Sequence, residues 1–329
     1  MKTTQVVMPH AGGPDVLRFE ERELPDAGPG QVRLKVEATG VAFAEVQMLR
    51  GRYYAQPKFP FVPGYDLVGR VEATGPGVSV SGRVAAMTRT GAWSERVVIP
   101  AEHLVPVPED LDAGEVVALI TNGVTAYQMI HRVAKVAAGQ TVVVHGAAGG
   151  VGTLLVRLAL RAGARVIGTA SPGKHDKVRA MGATPVDYRD PQLVERVREI
   201  APGGVAAVFD HAAGAGLERS WRMLGRGGTL IVYGNAATVD DKGWRLAPFV
   251  STFGKFAWWS IPPNGGRRCR FYSINHKNHF DEDLATVIDL LRTGELRPQV
   301  ATRLPLAEAP EALRMLDDRA VVGKIVLEP

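Results

Sequence analysis

Gly146, Gly149 and Gly152 recur every three residues, between a short apolar run and an amphipathic segment. Glycines at this spacing let a backbone approach a pyrophosphate with no Cβ in the way. The amides opening the next helix would point at the anion, whose charge the helix dipole favours. About twenty residues on, a dinucleotide fold brings its second strand beside the adenosine ribose. There the chain has Ser171, Lys174, His175 and Lys177, and its nearest carboxylate, Asp176, comes only within the following polar segment. A hydroxyl and two ammonium groups suit a 2′-phosphate, which a carboxylate would repel. These residues favour NADPH over NADH. Two plainer readings stand beside this one: an ordinary tight turn that binds nothing, and lysines on a solvated helix start.

The elements that must hold these residues follow from hydrophobic periodicity. Residues 141–146 are apolar on both faces, as in a strand buried in the middle of a parallel sheet. Val151, Leu154, Leu155, Leu158, Ala159 and Ala162 keep helical spacing, with Arg157 and Arg161 on the opposite face. Residues 165–170 read as the second strand of a right-handed βαβ unit. Further strands are expected at 206–212, 228–234 and 268–274, with helices between, so residues 122–275 read as a doubly wound α/β domain. Residues 1–121 read differently, as strands and Gly/Pro turns of a barrel-like β domain with one short helix at Phe43–Arg50. A helix through Leu284, Val287, Ile288 and Leu291 and a final strand Gly323–Leu327 are too little for a third domain. Residues 276–329 are expected to complete the first.

Composition bounds the function. The chain has 329 residues, enough for two domains, with 46% hydrophobic and 22% charged residues and a net charge of +5. Basic and acidic residues are interspersed, and Arg267, Arg268 and Arg270 have no aromatic ladder beside them, so no nucleic-acid partner is expected. Cys269 is the single cysteine, which rules out an internal disulfide. No apolar run approaches the roughly 18 residues of a membrane span, and the first residues lack a signal-peptide core. A cytoplasmic protein is the expectation.

Several segments together resemble the medium-chain dehydrogenase/reductase superfamily, in its quinone oxidoreductase (zeta-crystallin-like) branch. They are Phe59-Pro-Phe-Val-Pro-Gly-Tyr-Asp66, Asn122-Gly-Val-Thr-Ala-Tyr127, Val144-His-Gly-Ala-Ala-Gly-Gly-Val-Gly152, Val166-Ile-Gly-Thr-Ala170, Val186-Asp-Tyr-Arg189 and Val322-Gly-Lys-Ile-Val-Leu327. Lys174-His175 and Tyr233-Gly234 also look like the vesicle amine transport protein subgroup. The resemblance implies a Rossmann domain between two parts of a GroES-like catalytic domain, with the active site in the cleft. It implies NADPH, hydride transfer to quinones or to double bonds conjugated with a carbonyl, and a homodimer. It also implies that Ala148, Gly149, Gly150 and Val151 hold the pyrophosphate, that Ser171, Lys174 and Tyr188 hold the 2′-phosphate, and that Thr125 and Gly234 belong to the cofactor site.

Zinc-dependent members use a Cys and a Gly-His-Glu segment for catalytic zinc and four clustered cysteines for structural zinc. The matching segments here, Val41-Ala-Phe-Ala-Glu45 and Pro63-Gly-Tyr-Asp66, have neither Cys nor His. No metal site is expected, and so no alcohol oxidation, which needs a Lewis acid or strong base at the hydroxyl. His276 and His279, the one close pair of histidines, read as a surface feature flanking a helix. Charge developing on a substrate carbonyl oxygen then needs a donor. Tyr53, in a segment that matches a cleft-lining loop, is the candidate, with packing as the alternative role. Ala42 stands where the family commonly has Asn or Ser, Glu45 where Asp is usual, and Gly77–Val84 looks shorter than the family loop. Phe249, Phe253, Phe256, Trp258 and Trp259 read as one helix packing on the core, or as a wall for a flat aromatic substrate. A non-catalytic NADPH-binding protein and an enoyl reductase acting on carrier-bound acyl chains are the competing functions.

Overall fold

The computed structural model describes residues 1–236, 243–244, 246–277 and 279–329. The chain forms two compact units, Met1–Val124 with Asn275–Pro329, and Thr125–Ile274. In order, the first stretch carries β1 (Lys2–Val7), β2 (Arg18–Glu23), β3 (Gln31–Val41), α1 (Phe43–Leu49), β4 (Asp66–Thr74), β5 (Arg83–Met87), β6 (Arg96–Pro100), β7 (Val105–Pro106) and α2 (Ala113–Tyr127). The middle carries β8 (Thr141–His145), α3 (Gly150–Arg161), β9 (Arg165–Ala170), α4 (His175–Ala180), β10 (Thr184–Asp187), α5 (Leu193–Ile200) and β11 (Val205–Asp210). It continues with α6 (Leu217–Met223), β12 (Leu224–Val232), α7 (Ala247–Trp259) and β13 (Arg268–Phe271), and the chain ends with α8 (Phe280–Arg292), β14 (Val300–Pro305), α9 (Ala309–Asp317) and β15 (Lys324–Glu328).

The first unit is built on β3. Val32, Leu34 and Val36 point into its core while Arg33 and Lys35 point out, the period-two pattern of a half-buried strand. One end of β3, Gln31–Lys35, pairs with β6, and the other, Thr39–Val41, pairs with β15. β4 runs along almost its whole length, with register shifts at Arg33/Leu34 and Val36/Ala38. Irregularities of this kind bend a strand, so one long strand serves two differently directed parts of the sheet. The path runs β14-β15-β3-β4-β5-β7, with β6 on β3, and is open at both ends: among the described residues β14 and β7 do not pair, so the domain is barrel-like without closing.

The second unit is a parallel sheet in the order β10-β9-β8-β11-β12-β13. This is the doubly wound order that reverses beside the first strand, between β8 and β11. β8 is buried along its apolar run, and α3 buries Leu154, Leu155, Leu158 and Ala159. Val143, Ile167, Val208, Leu230 and Val232 form one core with Leu193 and Val197 of α5 and Leu217 of α6. β10 was not expected as a strand. It has four residues, one of them Pro185, and only its pairing to β9 makes it one; Pro is tolerated there because β10 is the sheet edge.

The aromatic helix α7 also differs from its reading as core. Trp259 stacks on Trp221 at 5.0 Å, and Phe249 and Phe253 lean on Phe271 of β13. Trp258, however, is 72% exposed and Phe253 50%, so half of this face meets solvent. Among the described residues no helix is long and apolar enough to cross a membrane.

Candidate functional site

At the carboxyl end of β8 the chain turns through Gly146–Gly149 into α3. A Cβ on Gly152 would stand 2.1 Å from the Gly146 carbonyl oxygen, so only glycine lets the helix start this close to the turn. Gly149 N–H donates to the Gly146 carbonyl at 2.9 Å and closes the loop. Gly150, Val151 and Gly152 occupy the first helical turn, where amides have no preceding intrahelical acceptor. Ala148 is buried, Gly149 exposed, and Gly150 and Val151 half-buried. The result is a tight glycine turn with amides at a helix start, which fits a pyrophosphate.

Strand pairing builds the second half of this site. Asp187 pairs with Ala170, so Tyr188 and Ser171 leave neighbouring strand ends side by side. Pro172–Lys174 is a tight helical turn that leads into α4, and His175 Nε2 donates to the Ala170 carbonyl at 3.2 Å, holding this turn against β9. Ser171 and Lys174 are half-buried and Tyr188 is exposed. Two neighbours were missed. Arg189 lies 5.6 Å from the Tyr188 ring centroid, and it pairs with Asp187 at 3.3 Å. The Arg189 backbone amide and then its guanidinium hold the Asp187 carboxyl below its ordinary range. Arg189 belongs to the segment Val186-Asp-Tyr-Arg189, but only β10 brings it to this edge.

A buried polar network underlies the glycine turn. His145 Nδ1 lies 3.0 Å from Thr169 Oγ1 and His145 Nε2 lies 3.1 Å from Ser220 Oγ, which donates to Asp210 Oδ2 at 2.7 Å. Burial pushes the His145 pKa down, so it bridges as a neutral ring. Asp210 Oδ1 also accepts the amides of Ala212 and Ala213. Three strand ends and α6 are thereby tied together. Gly234 follows β12 on the same carboxyl edge, where a Cβ would meet the His211 carbonyl at 2.6 Å. Thr125 lies on α2 and is buried.

Tyr53 belongs to the other unit. Its hydroxyl lies 2.8 Å from that of Tyr65, and its ring is 4.7 Å from that of Tyr54. Burial pushes the Tyr53 pKa well above the ordinary tyrosine range and that of Tyr65 up to about 12. Both therefore remain hydroxyls at neutral pH and can donate hydrogen bonds but not act as bases. Tyr53 is 8% exposed, whereas Tyr54, which sequence reasoning passed over, is 39% exposed.

The segments matching the zinc-ligand positions carry an ion pair instead. Lys324 Nζ lies 3.2 Å from Asp66 Oδ2, with the two side chains 2% and 0% exposed. Asp66 Oδ1 accepts the Gly40 amide at 3.1 Å, and a Cβ on Gly40 would collide with both charged groups. Glu45 lies at the third position of α1 and accepts the Ala42 amide at 2.8 Å. Ala42 has no side-chain oxygen to return the bond, so this is one half of a capping box. The added length of Glu over Asp suits that reach. Burial, then Asp66, raises the Glu45 pKa to about 7 against the attraction of Lys324.

A raised carboxyl pKa means that the folded state holds a proton the unfolded chain has released. The stabilisation is complete below about pH 4.5 and is lost as pH rises through about 7. At ~1.4 kcal/mol per pH unit the change is on the order of 3 kcal/mol. Glu45→Gln keeps the acceptor for Ala42 and should remove this slope from the melting temperature between pH 5 and 8. A slope equal to that of the parent protein would show that Glu45 does not titrate there.

Two family models match parts of the chain, one within the first unit and one that runs from the second unit into the C-terminal part of the first. Residues 28–109 match the alcohol dehydrogenase GroES-like domain and residues 181–327 the zinc-binding dehydrogenase family. A 2-haloacrylate reductase from Burkholderia sp is 33% identical across 97% of this chain and 96% of its own. The chain is a medium-chain dehydrogenase/reductase. This medium-chain dehydrogenase/reductase is also 31% identical to the synaptic vesicle membrane protein VAT-1 homolog of Danio rerio, across 98% of this chain and 69% of that protein. Among solved structures, the Escherichia coli quinone oxidoreductase complexed with NADPH superposes with a TM-score of 0.87 at 26% identity, over 99% of this chain and 100% of that one. The family is thus the one its motifs resembled, and its Rossmann and GroES-like units carry the two groups of residues described above.

Proposed function

We propose that this medium-chain dehydrogenase/reductase is an NADPH-dependent reductase of quinones or α,β-unsaturated carbonyl compounds that works without catalytic zinc. The observation that carries the reading is the edge of the parallel sheet where the glycine turn, Ser171, Lys174 and Tyr188 come together without an unpaired carboxylate among them. Ala148 to Val151 would hold the pyrophosphate, Ser171, Lys174 and Tyr188 the 2′-phosphate, and Thr125 and Gly234 would complete the cofactor site. NADPH supplies the hydride when bound. The chain's part is to position the acceptor and to stabilise the charge that grows on its carbonyl oxygen. Tyr53 is the proposed donor. Tyr65 orients its hydroxyl at 2.8 Å, and both stay protonated through the neutral range. The absence of Cys and His from the segments 41–45 and 63–66 supports zinc independence. The Burkholderia sp relative is named for 2-haloacrylate, a double bond conjugated with a carboxyl, and the Escherichia coli structure for a quinone. Both support the acceptor class. A cytoplasmic enzyme acting on small molecules, with no nucleic-acid partner, fits the reading. So does a homodimer, for which the half-exposed face of α7 beside the edge strand β13 offers an apolar surface; light scattering reads the dimer directly.

The test is NADPH oxidation against a benzoquinone, a naphthoquinone, an alkenal, a cyclic enone and a simple aldehyde, with NADH as control. Turnover of a quinone or an enone with NADPH is the expected result. Tyr53→Phe should then lower kcat by roughly 100-fold with little change in KM, the usual effect of removing one donor at a developing oxyanion. Tight NADPH binding with silence across the panel would instead support the non-catalytic alternative. Turnover confined to a carrier-bound enoyl thioester would support the enoyl reductase.

A further inference from the structure

His103 meets His276 and Asp281, both distant from it in sequence, at one place in the unit Met1–Val124 with Asn275–Pro329. His103 lies between β6 and β7, His276 lies ahead of α8, and Asp281 is in the first turn of α8. One donor atom from each lies within 4.8 Å of the others. The His103 and His276 rings stack at 4.4 Å, tilted by 15°. His103 Nδ1 lies 2.9 Å from Asp281 Oδ2. This corrects the pairing of His276 with His279: His279 flanks α8 and bonds Glu282 at 2.8 Å, while His276 turns to His103 instead.

The hydrogen bonds prepare the cluster as a ligand set. The Met87 carbonyl, 3.1 Å from His276 Nε2, can only accept, so the proton is on Nε2 and the lone pair on Nδ1. His276 Nδ1 is buried and has no hydrogen-bond partner. Asp281 Oδ1 is likewise buried and without a partner. Two orphaned acceptors in one cluster carry a desolvation cost that a cation would remove. A backbone carbonyl that fixes the tautomer of a ring nitrogen is the usual outer support of a metal-bound histidine. Phe280 packs edge-on against the His276 ring and holds its plane. The His103 and Asp281 side chains are 36% and 45% exposed, which leaves an entry path and room for water.

We propose that His103, His276 and Asp281 form a binding site for a divalent transition-metal cation. Two imidazoles with one carboxylate suit zinc, nickel or cobalt rather than magnesium or calcium, which prefer oxygen sets. Donors bound to one such ion at ~2.1 Å stand closer together than 4.8 Å, and binding would require the His103 ring to rotate out of its stack on His276 so that the in-plane lone pairs of both rings meet the ion. Arg89, whose charge reaches His276, opposes the cation and keeps the affinity modest. The site lies apart from the Tyr53 and Glu45 groups in its residues and its chemistry. Its effect is structural, because it ties the β6–β7 connection to the start of α8 across 178 residues of chain.

The experiment uses the full chain, stripped with a chelator and dialysed. Zinc chloride is titrated by calorimetry, and cobalt chloride by its visible absorption, which reports nitrogen ligation. One equivalent bound per chain, with a higher melting temperature in its presence, is expected. His103→Ala and His276→Ala should each weaken binding by at least ~10-fold, and Asp281→Asn, which preserves side-chain shape, should do the same. His279→Ala should leave it unchanged. Absence of saturable binding would overturn the proposal. So would a His276→Ala protein with native circular dichroism that titrates like the parent, or binding that follows His279.

Discussion

Lys174→Ala raises the dissociation constant for NADPH by roughly 10- to 100-fold and leaves that for NADH nearly unchanged. The magnitude is that of one charged hydrogen bond, ~1.5–3 kcal/mol, converted at ~1.4 kcal/mol per tenfold. The reason for the difference lies in the ligands: only NADPH carries the 2′-phosphate that a cation at this strand end can meet. Lys174 ends the short turn after β9, and β10 sets Tyr188 and the Arg189–Asp187 pair beside it. Arg189 satisfies Asp187, so the local carboxylate does not cancel the lysine's effect on a phosphate. Calorimetric titration of both cofactors checks the prediction. Equal weakening of NADPH and NADH would remove Lys174 from the phosphate site, and no effect on either would return it to the solvated surface.

Lys324→Met lowers the stability of the protein by about 3–5 kcal/mol, the usual cost of stripping one partner from a buried ion pair. Asp66 is left with no exposure and only the Gly40 amide on its Oδ1 atom. Glu45, which the lysine also attracts, lies near the same charge and would be driven further towards its protonated form. The loss is not a matter of packing, since methionine nearly fills the lysine's volume. Lys324→Met combined with Asp66→Asn should therefore recover much of it. The melting temperature of the single variant should fall by at least several degrees, and the double variant should lie between it and the parent. A single variant as stable as the parent would mean that Asp66 is stabilised without Lys324, and no recovery in the double variant would mean that the amide is as costly there as the charge.

Both residues were in view in the sequence, but for different reasons. Lys174 was identified by its distance from the glycine turn, a local measure that a βαβ unit keeps from fold to fold. Lys324 stands out in the sequence only as part of the segment Val322-Gly-Lys-Ile-Val-Leu327. Its partner lies 258 residues away, and no spacing along the chain connects them.

The sequence by itself determined the strand–glycine–helix unit from Thr141 to Arg161, the strand Arg165–Ala170 after it, and the helix over Phe280–Arg292. Each is written in hydrophobic period and glycine placement within some twenty residues, where backbone geometry acts directly. It also determined the charge character of the β9 end. Only the tertiary structure decided that Thr184–Asp187 is a strand, because a short edge segment with a proline becomes one by pairing with β9. The same holds for the exposure of Trp258: helical spacing makes an apolar face without saying what covers it. Glu45 with Asp66 and Lys324, Tyr53 with Tyr65, His145 with Ser220 and Asp210, and His103 with His276 and Asp281 are all products of folding. Their chemistry comes from burial and from donor–acceptor distances of about 3 Å, and those exist only once distant strands have been brought into register.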